Sequence, residues 1–92
     1  MKHLKEFENI EASELKTYIA WDMKFAIFVL KIVEVKENNI QMEKLYEYDK
    51  DMDTLKPATS LSILNFTPGI VKKYAIYSSD SLEDVKNKLP QL

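Results

Sequence analysis

The sequence contains no cysteine, no arginine and only one glycine among its 92 residues. Without cysteine, the chain can form neither disulfide bonds nor thiolate-based zinc sites. Arginine supplies most of the bidentate hydrogen bonds that proteins make to guanine and to phosphate, so its absence argues against sequence-specific DNA binding. The single glycine, Gly69, cannot build the glycine-rich loops that hold phosphates or dinucleotides. These absences exclude several large classes of enzyme and nucleic-acid-binding protein.

Long apolar runs are also missing. The longest one, residues 25–30, is extended after Lys31 only by Ile32 and Val33, which is about half of what a membrane-spanning helix needs. The first ten residues are too highly charged for a secretory signal. With 46% hydrophobic and 30% charged residues, the composition is typical of a globular protein. We therefore predict a single domain over residues 1–92, located in the cytoplasm.

Residues that commonly carry catalysis or bind metals are scarce. The only histidine is His3, near the start of the chain, whereas a catalytic histidine must be held rigidly beside its nucleophile. Carboxylates alternate through residues 49–53 as they do in calcium loops, but Thr54 and Ser60 replace the required glycine and glutamate. We predict no metal, no cofactor and no enzymatic activity. A pair of carboxylates that hydrolyses glycosidic bonds is the catalytic alternative that the sequence leaves open.

Hydrophobic periodicity predicts an α+β fold, with a four-stranded antiparallel meander between an N-terminal and a C-terminal helix. Residues 26–36 are rich in β-branched and aromatic residues in both alternating sets, which predicts a strand covered on both faces; a buried helix is the alternative. Residues 38–39 are two asparagines that suit a hairpin turn. The further elements are a type II turn at residues 67–69, strands at residues 40–48, 61–66 and 70–78, and helices near residues 12–22 and 81–89.

The alternation in residues 40–48 predicts one apolar and one acidic face. The apolar face comprises Ile40, Met42, Tyr46 and Tyr48, and the acidic face comprises Gln41, Glu43, Glu47 and Asp49. Trp21 is predicted to anchor the core where helix and sheet meet, with an interface role as the alternative. Tyr74 and Tyr77 fall on opposite faces of their predicted strand, so they do not form a stacking platform for single-stranded nucleic acid.

The acidic residues are distributed unevenly. Residues 1–53 carry a net charge of −4, and residues 54–92 carry +2. Acids arrayed on one surface can imitate the phosphates of a duplex and compete for a DNA-binding protein, although exposed acids also simply keep proteins soluble. The predicted partner-binding residues form two clusters. The first comprises Glu6, Glu8, Glu11 and Glu14, and the second comprises Glu43, Glu47, Asp49, Asp51 and Asp53.

In its size, its lysine-without-arginine composition and its two acidic clusters, the chain resembles the anti-restriction nuclease (Arn) proteins, small early proteins of large tailed phages. The resemblance covers the whole chain. It implies a DNA mimic that inhibits McrBC-type restriction endonucleases in the cytoplasm of an infected bacterium and uses no cofactor. Such a protein binds a host restriction enzyme or another DNA-binding protein, and it binds neither nucleic acid nor membranes.

A different function is compatible with the same sequence. The alternative is an adaptor or regulatory module that docks a partner without DNA-binding activity through its sheet edge or a helix. A homodimer is compatible with either hypothesis. Binding of a mimic to its partner is expected to weaken strongly with salt, which separates the two hypotheses.

Overall fold

The computed structural model describes residues 15–59 and 62–92, and these residues form a six-stranded antiparallel sheet with a helix packed on each face. The predicted α+β class and the antiparallel sheet are confirmed, but the sheet has six strands and not four. The elements in chain order are β1 (Tyr18–Asp22), β2 (Ala26–Val35), β3 (Ile40–Asp49), β4 (Thr54–Pro57), β5 (Ile63–Phe66), α1 (Pro68–Tyr74), β6 (Ala75–Ser79) and α2 (Leu82–Lys88), followed by a 3-10 turn at Leu89–Gln91.

The strands are arranged in the order β4-β3-β2-β1-β6. The short strand β5 pairs with the first half of β3, on the same edge where β4 pairs with the second half. β1 lies between β2, its neighbour in the sequence, and β6, which follows much later in the chain. The late strand β6 therefore forms one edge of the sheet, beside β1, the first strand that the structure describes.

Each face of the sheet carries its own apolar cluster, because the central strands have hydrophobic residues in both alternating sets. The predicted two-sided burial of residues 26–36 is confirmed for the first half of β2. On the face that we call the open face, the buried residues are Ile19, Trp21, Leu30, Ile40 and Met42, with Val71 of α1 and Ala75 of β6. On the opposite, closed face, they are Ala20, Ile27, Val29 and Tyr48, with Val85 and Leu89 from the C-terminal region.

The predicted N-terminal helix is wrong over the part that the structure describes. Tyr18–Asp22 form β1, and residues 12–14 lie outside the described residues. Helical spacing of apolar residues suggested the helix, but Ile19 and Ala20 are both fully buried, on opposite faces of the sheet. A five-residue strand that pairs along both edges and is covered on both faces has no distinctive period of its own.

The predicted strand at residues 70–78 is also wrong in its first half, where α1 stands before β6. The residues read as a type II turn instead begin the helix. Thr67 caps it by accepting a hydrogen bond from the backbone N–H of Ile70 at 3.4 Å, and Pro68 occupies the first helical turn, where its fixed φ is favourable. A short strand that was not predicted, β4, lies between the predicted strands at residues 40–48 and 61–66.

The C-terminal helix is confirmed. Its sequence offers Asp80 and Ser81 as caps, and Ser81 takes that role by accepting a hydrogen bond from the backbone N–H of Asp84 at 3.2 Å. Asp80 instead accepts hydrogen bonds from the backbone N–H of Thr17 at 3.1 Å and from its hydroxyl at 3.0 Å. The start of α2 is thereby connected to the residue that precedes β1.

Candidate functional site

A β-bulge in β3 separates the acidic residues that were predicted to share one face. Val29 of β2 lies opposite Tyr46, whereas the next residue, Leu30, lies opposite Lys44, so no residue of β2 lies opposite Leu45. An extra residue of this kind inverts the alternation of the side chains that follow it. Ile40 and Met42 therefore belong to the open face, while Tyr46 and Tyr48 belong to the closed face. The prediction that these four residues share a face is wrong.

Glu43 and Glu47 consequently point to opposite sides of the sheet. Directly opposed residues in antiparallel strands share a face. Glu43 lies opposite Lys31, which in turn lies opposite Tyr18, a residue of the closed face. Glu47 lies opposite Phe28 on the open face, and its carboxylate is 2.9 Å from the ammonium of Lys44. The predicted acidic face that included both glutamates is wrong, and the reason is the extra residue at Leu45.

Asp49, Asp51 and Asp53 lie in the turn between β3 and β4, and two of them stabilise it. Asp49 accepts hydrogen bonds from the backbone N–H groups of Asp51 and Met52 at 3.0 and 3.1 Å, an Asx-turn. Asp53 has a positive φ of 49° and accepts a hydrogen bond from the hydroxyl of buried Tyr48. That bond raises the pKa of Tyr48, because it would be lost on ionisation. Among residues 15–59 and 62–92, no group of acids is arranged to hold a metal ion.

Outside residues 1–14 the charges of the chain balance. Residues 1–14 contain four glutamates and two lysines, which account for the whole net charge of −2, and the remaining residues contain eleven acids and eleven lysines. Glu6, Glu8, Glu11 and Glu14 all lie outside the described residues. The described sheet and helices thus carry no excess negative charge that would steer a DNA-binding protein toward them. The partner-binding role of the nine acids stays a prediction.

An aromatic groove opens at the end of the open face, where β1 turns into β2. Trp21, a residue of β1, is only 3% exposed. Its side chain packs against the segment that carries α1. Its indole stacks against Phe66, with ring centroids 4.6 Å apart, and against Tyr74, at 5.4 Å. The groove has a volume of about 630 Å³, within the range of small-ligand and anchor-residue pockets. It exists because α1 is short and buries only Val71 against this face.

Exposed apolar side chains surround the groove. Met23 is 42% exposed, and Ile70 and Tyr74 are each more than a third exposed; all three line the groove. Phe25, in the adjacent turn between β1 and β2, is 74% exposed. Single exposed apolar residues are common on proteins, but three that line a concave surface, with a fourth in the adjacent turn, make this groove the candidate site.

Two lysines make the rim of this groove positive. The ammonium of Lys24 lies 5.9 Å from the ring centroid of Phe25, and that of Lys73 lies 5.5 Å from the ring centroid of Tyr74. Within the described ranges, neither lysine forms an ion pair. Both ammonium groups therefore remain available to a negatively charged ligand.

Among the residues that the structure describes, Asp22 is the one carboxylate that lines the groove, and it already has partners. It accepts a hydrogen bond from the backbone N–H of Lys24 at 3.1 Å, and it lies 3.2 Å from the ammonium of Lys50. Lys50 also donates a hydrogen bond to the backbone carbonyl of Lys24 at 3.5 Å. The turn between β3 and β4 thus holds the turn between β1 and β2 in place and neutralises its acid.

Other ionisable groups with shifted pKa values have structural partners. The hydroxyl of Tyr77 donates to Asp84 at 2.5 Å, which raises the pKa of Tyr77 and, together with a hydrogen bond from Ser79, lowers the pKa of Asp84. The two hydrogen bonds from Thr17 lower the pKa of Asp80. These contacts join β6, α2 and the start of β1, so the fold accounts for them.

The groove combines residues that the sequence had not grouped. Trp21 is buried in the core, as predicted, but it lies in a strand beside α1 and not at a seam with an N-terminal helix, and its neighbours in the groove were not identified. The Thr67-Pro68 pair could have signalled a helix start, which would have placed Ile70, Lys73 and Tyr74 on one helical face by their spacing of three and four residues.

No protein-family model, curated protein or solved structure matches this chain. Neither described helix is long and apolar enough to cross a bilayer. The surface chemistry of the described residues is therefore the basis on which a function is proposed.

Proposed function

We propose that this protein is a non-enzymatic binding protein that docks another protein in the aromatic groove. The observation that carries the proposal is the group of exposed apolar side chains, Met23, Ile70 and Tyr74, that line a groove whose aromatic rings are fixed by stacking, with exposed Phe25 in the adjacent turn. The cores of protein interfaces are enriched in aromatic residues and methionine, and the residues that dominate affinity sit in such pockets. This function corresponds to the adaptor or regulatory module.

The residues of the groove favour binding over catalysis. Its charged residues are Lys24, Lys73 and Asp22, and the carboxylate of Asp22 is engaged by Lys50. Within residues 15–59 and 62–92, no histidine, serine or threonine lines it, so the described lining lacks the hydroxyl–histidine pair of the common hydrolases. The two lysines and the apolar walls instead provide the means to recognise a shape and a charge.

DNA mimicry is the second candidate, because residues 1–14 carry all of the net negative charge and the turn between β3 and β4 adds three aspartates. Under this hypothesis the protein is an anti-restriction inhibitor of the Arn kind and acts in the cytoplasm of the infected host. Its contacts are Glu6, Glu8, Glu11 and Glu14, with Asp49, Asp51 and Asp53. The bulge at Leu45 permits only one of Glu43 and Glu47 to join such a surface.

Affinity capture with matched variants tests both candidates. The groove variant carries Phe25→Ser and Ile70→Ser. The control variant carries Met52→Ser and Val33→Ser, which alter two exposed apolar residues away from the groove. The acid variant replaces the glutamates at positions 6, 8, 11 and 14 by glutamine. Circular dichroism establishes that each variant is folded.

A protein captured by the control and acid variants but not by the groove variant supports docking in the groove. A DNA-binding protein lost only with the acid variant, and displaced by duplex DNA and by salt, supports mimicry. If every variant captures the same proteins as the unaltered chain, both proposals are wrong.

A further inference from the structure

We propose that the partner presents an acidic, hydrophobic peptide segment, whose apolar anchor side chain enters the aromatic groove while neighbouring carboxylates pair with Lys24 and Lys73. This proposal rests on docking in the groove and adds the chemistry of the docked segment. Three features of the groove lead to it: its apolar walls, the two lysines at its rim that form no ion pair among the described residues, and the burial of the indole of Trp21.

The walls select an apolar anchor. Phe66 and Tyr74 stack against Trp21, while Met23 and Ile70 contribute aliphatic surface at the mouth. Methionine is unbranched and polarizable, so it adapts to anchors of different shape. A leucine, phenylalanine or tryptophan side chain that enters removes apolar surface from water on both molecules, which is the main source of affinity at such sites.

The rim selects negative charge. Lys24 comes from the turn between β1 and β2, and Lys73 from α1, so the two ammonium groups border the groove from different elements. Their aliphatic stems extend along apolar surface while the charges remain in water. The ammonium of Lys50 neutralises Asp22. Among the described residues, the groove therefore has no free carboxylate that would repel an acidic ligand. Carboxylates beside the anchor are attracted here, whereas lysines at the same positions are repelled.

Single-stranded nucleic acid also carries negative charge and planar bases, but its bases cannot stack on the central indole of the groove; Tyr74, which is 36% exposed, is the lining ring that remains accessible to a base. Base stacking needs an exposed aromatic face. Trp21 is 3% exposed, and its indole is already stacked with Phe66 and Tyr74. A base therefore has no indole face on which to stack. The geometry favours a side chain that enters end-on over a base that lies flat.

Trp21 is the only tryptophan in the chain, so its fluorescence reports occupation of the groove. The probes are three acetylated, amidated nine-residue peptides with the same central Leu-Phe pair, flanked by glutamate, by glutamine or by lysine. An oligothymidylate serves as the nucleic-acid probe. Each is titrated into the full-length protein at low ionic strength.

We expect the glutamate peptide to bind about tenfold more tightly than the glutamine peptide, the effect of two exposed ion pairs, and the lysine peptide to bind least. The double variant Lys24→Glu and Lys73→Glu should reverse this order. The matched control, Lys16→Glu with Lys56→Glu, changes the total charge equally at exposed positions outside the groove. It should retain the preference for glutamate.

Several results would overturn the proposal. Equal affinity for the glutamate and glutamine peptides would remove the acidic partner while leaving apolar docking intact. Tighter, Lys24- and Lys73-dependent binding of the oligothymidylate would identify nucleic acid as the ligand. A tryptophan signal that changes with protein concentration alone would identify a second copy of the chain as the occupant. Failure of all three peptides to bind at millimolar concentration would exclude a peptide of this class.

Discussion

The two faces of the sheet are each covered by a helix of seven residues, yet only one is sealed. On the closed face the chain continues beyond α2 through Leu89 and Leu92, which pack against the same cluster as Val85. On the open face α1 leads directly into β6, and only Val71 of the helix is buried. Each face is therefore covered by the residues that follow its helix as well as by the helix itself. The groove lies on the open face, where no such residues follow α1.

The largest difference between the faces should appear in stability. Ile27 is fully buried on the closed face, and Ile27→Ala should lower the free energy of unfolding by about 2–5 kcal/mol, through lost transfer energy and a residual cavity. Ile70 lies at the rim of the groove on the open face, and Ile70→Ala should change the free energy of unfolding by less than about 1 kcal/mol. Denaturant unfolding measures both. Equal losses would show that the open face is packed as tightly as the closed one.

Acid stability should depend on the closed face. The pKa of Asp84 is lowered chiefly by the hydrogen bond from Tyr77, so this carboxylate contributes stability above its ordinary pKa of about 4. That contribution is lost as the pH falls through the lower pKa of the folded state. Tyr77→Phe should raise the pKa of Asp84 and reduce the loss of stability on acidification. Thermal unfolding between about pH 2 and 7 tests this, with Tyr74→Phe on the open face as the control that should behave as the unaltered chain.

Alkaline stability should depend on the hydrogen bond between Tyr48 and Asp53. The hydrogen bond to Asp53 raises the pKa of Tyr48, so its contribution to stability is complete below about pH 10 and is lost as the pH rises through the folded-state value. Asp53→Asn should lower the pKa at which Tyr48 ionises, as followed by tyrosinate absorbance. The adjacent change Asp51→Asn is the control. A pKa unaffected by Asp53→Asn would mean that the hydrogen bond is not formed.

The smallest expected effect concerns the contact between the acidic turn and the groove. Lys50→Gln removes the ammonium that holds Asp22 and leaves a free carboxylate at the rim. The affinity for the glutamate peptide should fall about two- to fivefold, the scale of one exposed charge interaction, while stability changes by no more than about 0.5 kcal/mol. Lys56→Gln should leave the affinity unchanged. A large loss of stability would show that Lys50 supports the fold rather than the charge of the groove.

Sequence patterns predicted the elements whose local signals are strong. Residues 26–36 are rich in β-branched and aromatic residues, residues 40–48 alternate, and the C-terminal helix follows a polar segment; all three elements exist close to the predicted bounds. The hairpin turn between the two strands lies at residues 37–38, one position before the predicted asparagine pair, because Lys36 and Asn39 pair through their backbones. β1 and α1 are five and seven residues long, which is too short for a period to emerge. Their structure is decided by long-range pairing and by coverage of the sheet.

The bulge and the groove could not be read from the sequence for a different reason. Leu45 is an apolar residue within an alternating strand, and nothing in its neighbourhood marks it as the extra one. The groove combines the turn after β1 with Phe66 and the face of α1, segments about forty residues apart. Hydrophobic periodicity describes short segments, so it does not indicate which aromatic side chains from distant parts of the sequence will stack.

The position of β1 between β2 and β6 has a consequence for how the protein acquires its binding surface. The pairing of β1 with β2 joins neighbours in the sequence, whereas Tyr18 must find Ser79 to pair with β6. Closing so long a loop costs entropy before its contacts form, so we expect the β1-β2-β3 hairpins to fold first and β6 to dock last. Tyr74 directly precedes β6 and reaches Trp21 only in that final step. A chain in which β6 has not yet docked therefore presents no groove.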